Sequence, residues 1–292
     1  MIKTELQNKN TVNMDLLAPR ALVDIINKED GAALRAVAAA KKEIARAVEK
    51  AAKIFAAGGN IIFIGAGTSG RLGVIEAAEC YPTFSLEPGR VLGITAGGKN
   101  AVFKSKEGAE DDGEQGKKDI LKAAKKGDIV FGVTASGRTP YVISALRAAG
   151  KIGAATVLIC CNNVDIDKRA ADIIIYLPTG PEVLQGSTRM KAGTATKMTL
   201  NIITTSTMAL CGKIYKNLMV DVKATNNKLR GRAARLVRSI AGVDEKTAQQ
   251  FLRQTNYNVK TAVVMLKKSV DKKTAGNRLQ KQKGFLRKVL NE

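Results

Sequence analysis

The sequence predicts a doubly wound α/β fold with a five-stranded parallel sheet flanked by helices, followed by a small all-helical domain. Three observations carry this. Five short runs, NIIFIG (60–65), RVLGIT (90–95), DIVFGVT (128–134), ATVLICC (155–161) and DIIIYLP (172–178), are continuously apolar and rich in Val or Ile. Strands covered on both faces look like this, because neither face has to meet water. Helical stretches at 70–79, 103–126 and 138–149 lie between most of them, the alternation that parallel crossovers require. Beyond about residue 228 the strand runs stop, and short helical patterns take over.

The elements follow in order. The first residues, MIKTELQNKN, are polar and contain no apolar h-region, and no run of about 18 apolar residues occurs anywhere, so neither a secretory signal nor a membrane span is expected and the cytoplasm is the default compartment. Residues 33–57 combine high helix propensity with apolar residues at helical spacing, and Gly58-Gly59 end that helix. A long helix is expected from about Lys191 to Tyr215. The domain break is placed near 228, giving a 1–228 domain with a helical N-terminal segment and a 229–292 helical domain.

Composition narrows the chemistry. The 292 residues include no His and no Trp, and aromatics make up 4%. Imidazole-based triads, His-ligated zinc and His proton shuttles are excluded, and a base-stacking nucleic-acid platform is poorly supported. The four Cys form no C-x-x-C pair and read as buried, reduced thiols. Acid–base work falls to Glu, Asp, Lys or Tyr. The net charge is +22, and residues 223–292 hold 18 Lys or Arg against 4 Asp or Glu. A solvated basic helical surface explains this better than nucleic acid does, since the aromatic residues that stack bases are scarce.

Glycine-rich loops mark the ligand site. The first strand runs into Gly65-Ala66-Gly67-Thr68-Ser69-Gly70-Arg71, a G-x-G-x-x-G pattern between strand and helix. A dinucleotide site would also need a ribose-binding acid after the second strand, where Ala96-Gly97-Gly98 stands instead. Ser-Gly-Arg recurs after the third strand in Thr134-Ala135-Ser136-Gly137-Arg138-Thr139-Pro140, and Gly186-Ser187-Thr188-Arg189 precedes the helix at 191. One such loop would be read as helix capping. Three point to a small phosphorylated ligand, held by backbone N–H groups, hydroxyls and helix N-termini. The candidate phosphate-site residues are Gly67, Thr68, Ser69, Arg71, Ser136, Gly137, Arg138, Thr139, Ser187 and Thr188.

At these residues the chain resembles the sugar isomerase (SIS) domain family. GAGTSGRLGVIEAAECYPTF, AGGKNAVFKSKEGAEDD, TASGRTPYVISAL, GSTRMKAGTATKMTLN and NLMVDVKATNNKL, with TELQN and INKED near the start, closely resemble the bacterial N-acetylmuramic acid 6-phosphate etherases. The resemblance runs from about Thr4 to the C-terminus. It departs from the family pattern at Tyr81, where Pro is usual, and at Ala18-Pro19-Arg20-Ala21. The resemblance implies a lyase that cleaves the D-lactyl ether of N-acetylmuramic acid 6-phosphate to N-acetylglucosamine 6-phosphate and D-lactate, in cell-wall sugar catabolism or recycling. It implies no metal, no nucleotide and no other cofactor, and a homodimer. The family's two catalytic glutamates map onto Glu79 and Glu110. The C-terminal segment resembles a ubiquitin-associated-like helical fold, which suggests helical packing or dimer contacts.

The chemistry agrees with such residues. In the open-chain aldehyde C2–H is α to a carbonyl, so a base can remove that proton and lactate leaves from C3, after which water adds back. Without His, carboxyl groups are the natural proton carriers. Glu79 is assigned to lactate protonation and water activation, and Glu110 to C2 proton transfer. Glu76, three residues before Glu79, is expected on a solvated helix face. Three competing readings are a sugar-phosphate sensor like the glucokinase regulatory proteins, an aldose–ketose isomerase, and a nucleic-acid-binding regulator. A sensor would not need both carboxylates, an isomerase would release no D-lactate, and residues 1–57 contain no convincing helix-turn-helix.

Overall fold

Continuous apolar runs become continuous burial. The computed structural model describes residues 3–163, 167, 169–224 and 226–292. Strands β1 (Ile61–Gly65) and β3 (Ile129–Val133) are buried at every position. With β2 (Val91–Thr95), β4 (Ala155–Cys160) and β5 (Ile173–Tyr176) they form one five-stranded sheet in the order β2-β1-β3-β4-β5, parallel throughout. Ile61 stands opposite both Val91 and Ile129, and Ile129 opposite Ala155. The winding reverses between β1 and β3, so the loops leaving their carboxyl ends part there and open a crevice.

Six helices accompany the sheet: α1 (Pro19–Ala39), α2 (Lys41–Ala56), α3 (Gly67–Phe84), α4 (Gly113–Ala123), α5 (Pro140–Lys151) and α6 (Lys191–Leu210). On one face Ile62, Ile64, Val130 and Leu158 pack with Ile120 of α4 and Tyr141, Ala145 and Leu146 of α5. Phe63 and Phe131 alternate with them and so point to the other face, their ring centroids 5.3 Å apart. There α3 lies so close that a Cβ on Gly73 would come within 2.8 Å of the Phe63 Cβ.

Three helix expectations change. The 33–57 helix is the end of α1 plus α2, interrupted at Ala40. The 103–126 stretch begins as a loop, with Phe103 93% exposed, and becomes helical only at Gly113. There the Asp112 carboxylate accepts the Gln115 amide at 2.8 Å and sets the helix start. The long helix stops at Leu210, ahead of Gly212 at φ +72°. The departure at residues 18–21 has a local account: Ala18 offers no capping oxygen, and Pro19 opens α1 with its φ already helical.

The chain divides into two units, residues 1–78 with 89–204 and residues 79–88 with 205–292. The division cuts α3 between Ala78 and Glu79, and the sequence-based break near 228 falls inside the second unit. That unit holds α7 (Asn227–Ala241), α8 (Glu245–Gln254), α9 (Val259–Lys268), α10 (Lys272–Lys281) and α11 (Leu286–Asn291) around a core that includes Val237, Ala248, Leu252, Val263 and Leu286. Asn226, Asp244, Asn258 and Asp271 each cap a helix through the amide three residues on. Lys260, buried, donates to the Gly212 carbonyl at 2.8 Å and to Asp221 at 2.7 Å. Among the described residues no helix is long and apolar enough to cross a membrane.

The junction of β1 with α3 leaves no room for a side chain. A Cβ on Gly70 would stand 2.4 Å from Thr95 Oγ1 and 2.7 Å from the Gly65 carbonyl oxygen. Overpacking of this kind costs roughly 1–3 kcal/mol. Gly70→Ala should therefore lower the urea midpoint of the first unit; an unchanged midpoint would show that the junction can yield.

Candidate active site

The loops that leave β1 and β3 meet in a cleft of about 420 Å³. Its walls come from Ala66 to Ser69, from Val133 to Pro140 apart from Gly137, from Glu110 and Asp111, from Gly186 and Thr188, and from Thr4 and Glu5. Three hydroxyls cluster in it. Thr134 Oγ1 lies 2.7 Å from Thr139 Oγ1 and 3.2 Å from Ser136 Oγ. The Gly137 N–H points at Thr134 Oγ1 and the Arg138 N–H at Ser136 Oγ. Gly137, at φ +75°, makes the turn that brings these two amides to the hydroxyls. Helix α5 starts at Pro140, so its N-terminal dipole faces the same space. The hydroxyls and amides of this cluster are neutral hydrogen-bonding groups of the kind that can hold an anion.

Glu110 reaches the cleft from the loop before α4. Its carbonyl accepts the Tyr141 N–H at 3.0 Å, tying the loop to the first turn of α5. Tyr141 is itself fixed: its hydroxyl donates to Asp119 at 2.6 Å, and burial with the neighbouring Asp119 pushes its ionisation far upward. Glu110 is exposed, so its carboxylate is available to a ligand.

The structure brings together Gly67, Thr68, Ser69, Ser136, Arg138, Thr139, Thr188 and Glu110 from the sequence-based set. Gly137 is buried and acts through its turn and its amide. Ser187 is not among the lining residues; its N–H donates to the Leu184 carbonyl. Arg71 lines a smaller neighbouring cleft. Glu79 lies in the second unit, exposed on α3, its carbonyl accepting the Thr83 hydroxyl at 2.7 Å. At the Tyr81 departure the Lys223 ammonium sits 4.4 Å from the ring centroid and donates to the hydroxyl.

Sequence reasoning missed several residues. Glu76 is not on a solvated face. It is 7% exposed, and its carboxylate accepts hydrogen bonds from Asn201 and Thr204 of α6, both at 2.5 Å. Thr134 belongs to the hydroxyl cluster, although it stood in the quoted loop only as the strand's last residue. Asn162, fully buried, bonds the Lys3 amide and the Thr4 hydroxyl and so holds the N-terminal segment on the cleft.

A buried polar network fixes the third loop. Glu182, fully buried, accepts the Lys191 and Ala192 amides at 2.9 Å each and caps α6. Burial pushes its pKa up, against the pull of those amides and of Lys191. The Lys191 side chain, 2% exposed, reaches Glu29 of α1 at 2.6 Å. Burial opposes ionisation of Glu29, but hydrogen bonds from Lys191, Asn10 and Asn8 overcome it and hold the carboxyl at about 2. Thr11 Oγ1 donates to the Val183 carbonyl at 2.8 Å. The TELQN and INKED stretches therefore brace the segment that carries Gly186 and Thr188.

Cys160 and Cys161 offer no competing nucleophile. Burial pushes both Cys160 and Cys161 up to about 12, so neither supplies thiolate near neutral pH. Among the described residues no group of three His, Cys, Asp or Glu side chains is placed to hold a metal ion.

Residues 43–150 match the N-terminal SIS domain of glucokinase regulatory protein, 109–206 the SIS domain, and 216–283 the C-terminal lid domain of glucokinase regulatory protein. The curated N-acetylmuramic acid 6-phosphate etherase of Geobacillus thermodenitrificans is 46% identical over 290 residues, 99% of this chain and 98% of that protein. The Lactobacillus johnsonii etherase is 46% identical over 99% of this chain and 98% of its own length. That of Salmonella agona is 46% identical over 98% and 97%.

The network gives a stability test. Lys191 is buried and Glu29 only partly so, so losing the pair should cost less than the ~3–5 kcal/mol of a fully buried one, and Glu29→Gln should lower the unfolding midpoint at pH 7. Glu29 sits at about 2 in the folded chain, below its unfolded value near ~4.3. The stabilisation is therefore complete above about pH 5 and is lost as pH falls toward 2. The gap between wild type and variant should narrow over that range, and a gap independent of pH would count against the ion pair.

Proposed function

We propose a function from one premise: the chain belongs to the N-acetylmuramic acid 6-phosphate etherases, which it matches over nearly its whole length. It is a carbon–oxygen lyase that converts N-acetylmuramic acid 6-phosphate to N-acetylglucosamine 6-phosphate and D-lactate. The observation that carries the placement of this reaction is the hydroxyl-lined cleft at the β1/β3 switch point, with Glu110 in its wall.

The phosphate is bound by the Thr134, Ser136 and Thr139 hydroxyls, by the amides of the Ser136–Thr139 turn and by the N-terminus of α5. Thr68, Ser69 and Thr188 complete that shell from the other two loops; Ser187, which does not line the cleft, is left out of it. The sugar, opened to its aldehyde, then presents C2–H to Glu110. Proton removal places negative charge on the enolate oxygen, where the N-terminal amides of α3 supply donors. The C3–O bond breaks, and the departing lactate oxygen takes a proton from Glu79. Water activated by Glu79 adds at C3, and C2 is reprotonated. No step needs a redox change, a metal or a nucleotide. The setting is the breakdown or recycling of cell-wall sugars in the cytoplasm, by a homodimer.

D-lactate release from N-acetylmuramic acid 6-phosphate is the direct test, and it should proceed in EDTA with no nucleotide added. Ser136→Ala should raise KM by roughly 10- to 100-fold, the value of one hydrogen bond to a charged group, and the unphosphorylated sugar should be a poor substrate. Equal turnover of both sugars would remove the phosphate site.

The two glutamates separate in a second assay. Glu110→Ala should lose both solvent exchange at C2 and lactate release, by about 10²–10⁴-fold. Glu79→Ala should keep the exchange and lose the release. In heavy-oxygen water the label should enter C3 of the sugar. Label in the lactate would mean hydrolysis at the lactyl carbon and would end the elimination mechanism.

A further inference from the structure

The substrate of the proposed reaction carries two anionic groups, a phosphate and the lactyl carboxylate, and the cleft described so far accounts for one. A second cleft of about 170 Å³ adjoins it. The two share Ala66, Gly67 and Glu110 as a common wall. Beyond it lies a third hollow, which shares Lys106, Glu107, Gly108 and Ala109 with the second. Of the charged residues lining the second cleft, Glu110 is thus on the wall toward the phosphate loops, and Lys106 and Glu107 are on the wall away from them. Of these three hollows, Arg71 lines the second.

Among the described residues Arg71 bonds neutral acceptors and no acid. Its Nε donates to the Val102 carbonyl at 3.0 Å and its Nη2 to Ser105 Oγ at 3.2 Å. Both acceptors are neutral, so the guanidinium charge is not cancelled by them, and Nη1 has no partner among the described residues. The residue is half-buried just after the first turn of α3, whose N-terminal amides add to its field. A fixed, partly desolvated guanidinium with a free edge and a neighbouring hydroxyl suits a planar carboxylate.

We propose that Arg71, with Ser105, binds the lactyl carboxylate in this second cleft, and so sets specificity for the ether substituent rather than for the phosphate. This rests on the etherase reading of the site. With the phosphate in the first cleft and the carboxylate in the second, the C2–C3 bond spans the shared wall, where Glu110 stands. The arrangement assigns Arg71 a role different from the phosphate contact that its place in a Ser-Gly-Arg loop suggests.

The test compares N-acetylmuramic acid 6-phosphate with its lactamide, in which the carboxylate is replaced by a neutral amide. The wild type should prefer the carboxylate by roughly 10- to 100-fold in kcat/KM, as expected when a charged hydrogen-bonding group loses its partner. Arg71→Gln should bring the two substrates within threefold of each other, and Arg71→Lys should keep part of the preference. N-acetylglucosamine 6-phosphate, which has no lactyl group, should inhibit Arg71→Gln with a Ki within threefold of the wild-type value. That inhibition also shows that the variant is folded. Equal use of both substrates by the wild type, an undiminished preference in Arg71→Gln, or loss of N-acetylglucosamine 6-phosphate binding in both variants would overturn the proposal. A wild type that binds the sugar phosphate but releases no D-lactate would instead overturn the etherase reading, and this proposal with it.

Discussion

A parallel sheet covered on both faces imposes one constraint from which the rest of this molecule follows. Each strand must be re-entered from the same end, so every connection crosses the sheet through a helix or a long loop. All carboxyl ends then lie along one edge, and where the winding reverses the loops separate. Here the reversal falls between β1 and β3, the two strands buried at every position. The crevice is thus built on the two fully buried strands. The Gly65–Gly70 turn sharpens this, because only glycine lets α3 begin directly against β1 and Thr95 of β2.

Those strands do not carry the third loop, which follows β5 at the sheet's edge. Buried charge fixes it instead. Glu182, Lys191 and Glu29 are joined through two backbone amides and one side-chain pair, and Asn8, Asn10 and Thr11 close the set. An ion pair in such a place contributes little net stability over an apolar substitute. Its merit is directional: an apolar patch would tolerate several registers of the 181–191 segment against α1, whereas these hydrogen bonds are met in one. The N-terminal residues are therefore part of the site's frame, and Thr4 and Glu5 also stand in its wall.

The strands and the Gly-Ser-Thr loops of the cleft were legible because their signals are local. A continuous apolar run needs no partner to be recognised, and a Gly-Ser-Thr loop between strand and helix carries its own chemistry. What was not legible depended on distant partners. Glu76 reads as a surface residue until Asn201 and Thr204, 125 and 128 positions away, cover it. Asn162 has no visible role until Thr4 meets it across 158 residues. The 103–126 stretch has helical composition, yet the Asp112 cap, a single side-chain hydrogen bond, decides where the helix starts. Residues placed by resemblance differ again: Glu110 falls in the cleft wall, while nothing in the periodicity around it separates it from Glu107 or Glu114.

The charge of the chain and the charge of the cleft do different work. The net charge is +22, yet the first cleft holds a cluster of hydroxyls and backbone amides, with Arg138, Glu5, Glu110 and Asp111 also in its wall. A large net positive charge attracts any anion, but only within a Debye length of roughly 8–10 Å and without regard to its shape. Neutral donors act over one hydrogen bond and are sensitive to angle, so they distinguish a tetrahedral phosphate from a planar carboxylate. Placing cations in contact with the phosphate would bind it more tightly and would also draw in the carboxylate of the same substrate, reversing its orientation. In the proposed arrangement the hydroxyl cluster takes the phosphate and Arg71 in the next cleft takes the carboxylate; Arg138 also lines the first cleft, so the discrimination would rest on the neutral donors in contact with the phosphate, and the carbon atoms between the two anions would be the part of the sugar nearest Glu110.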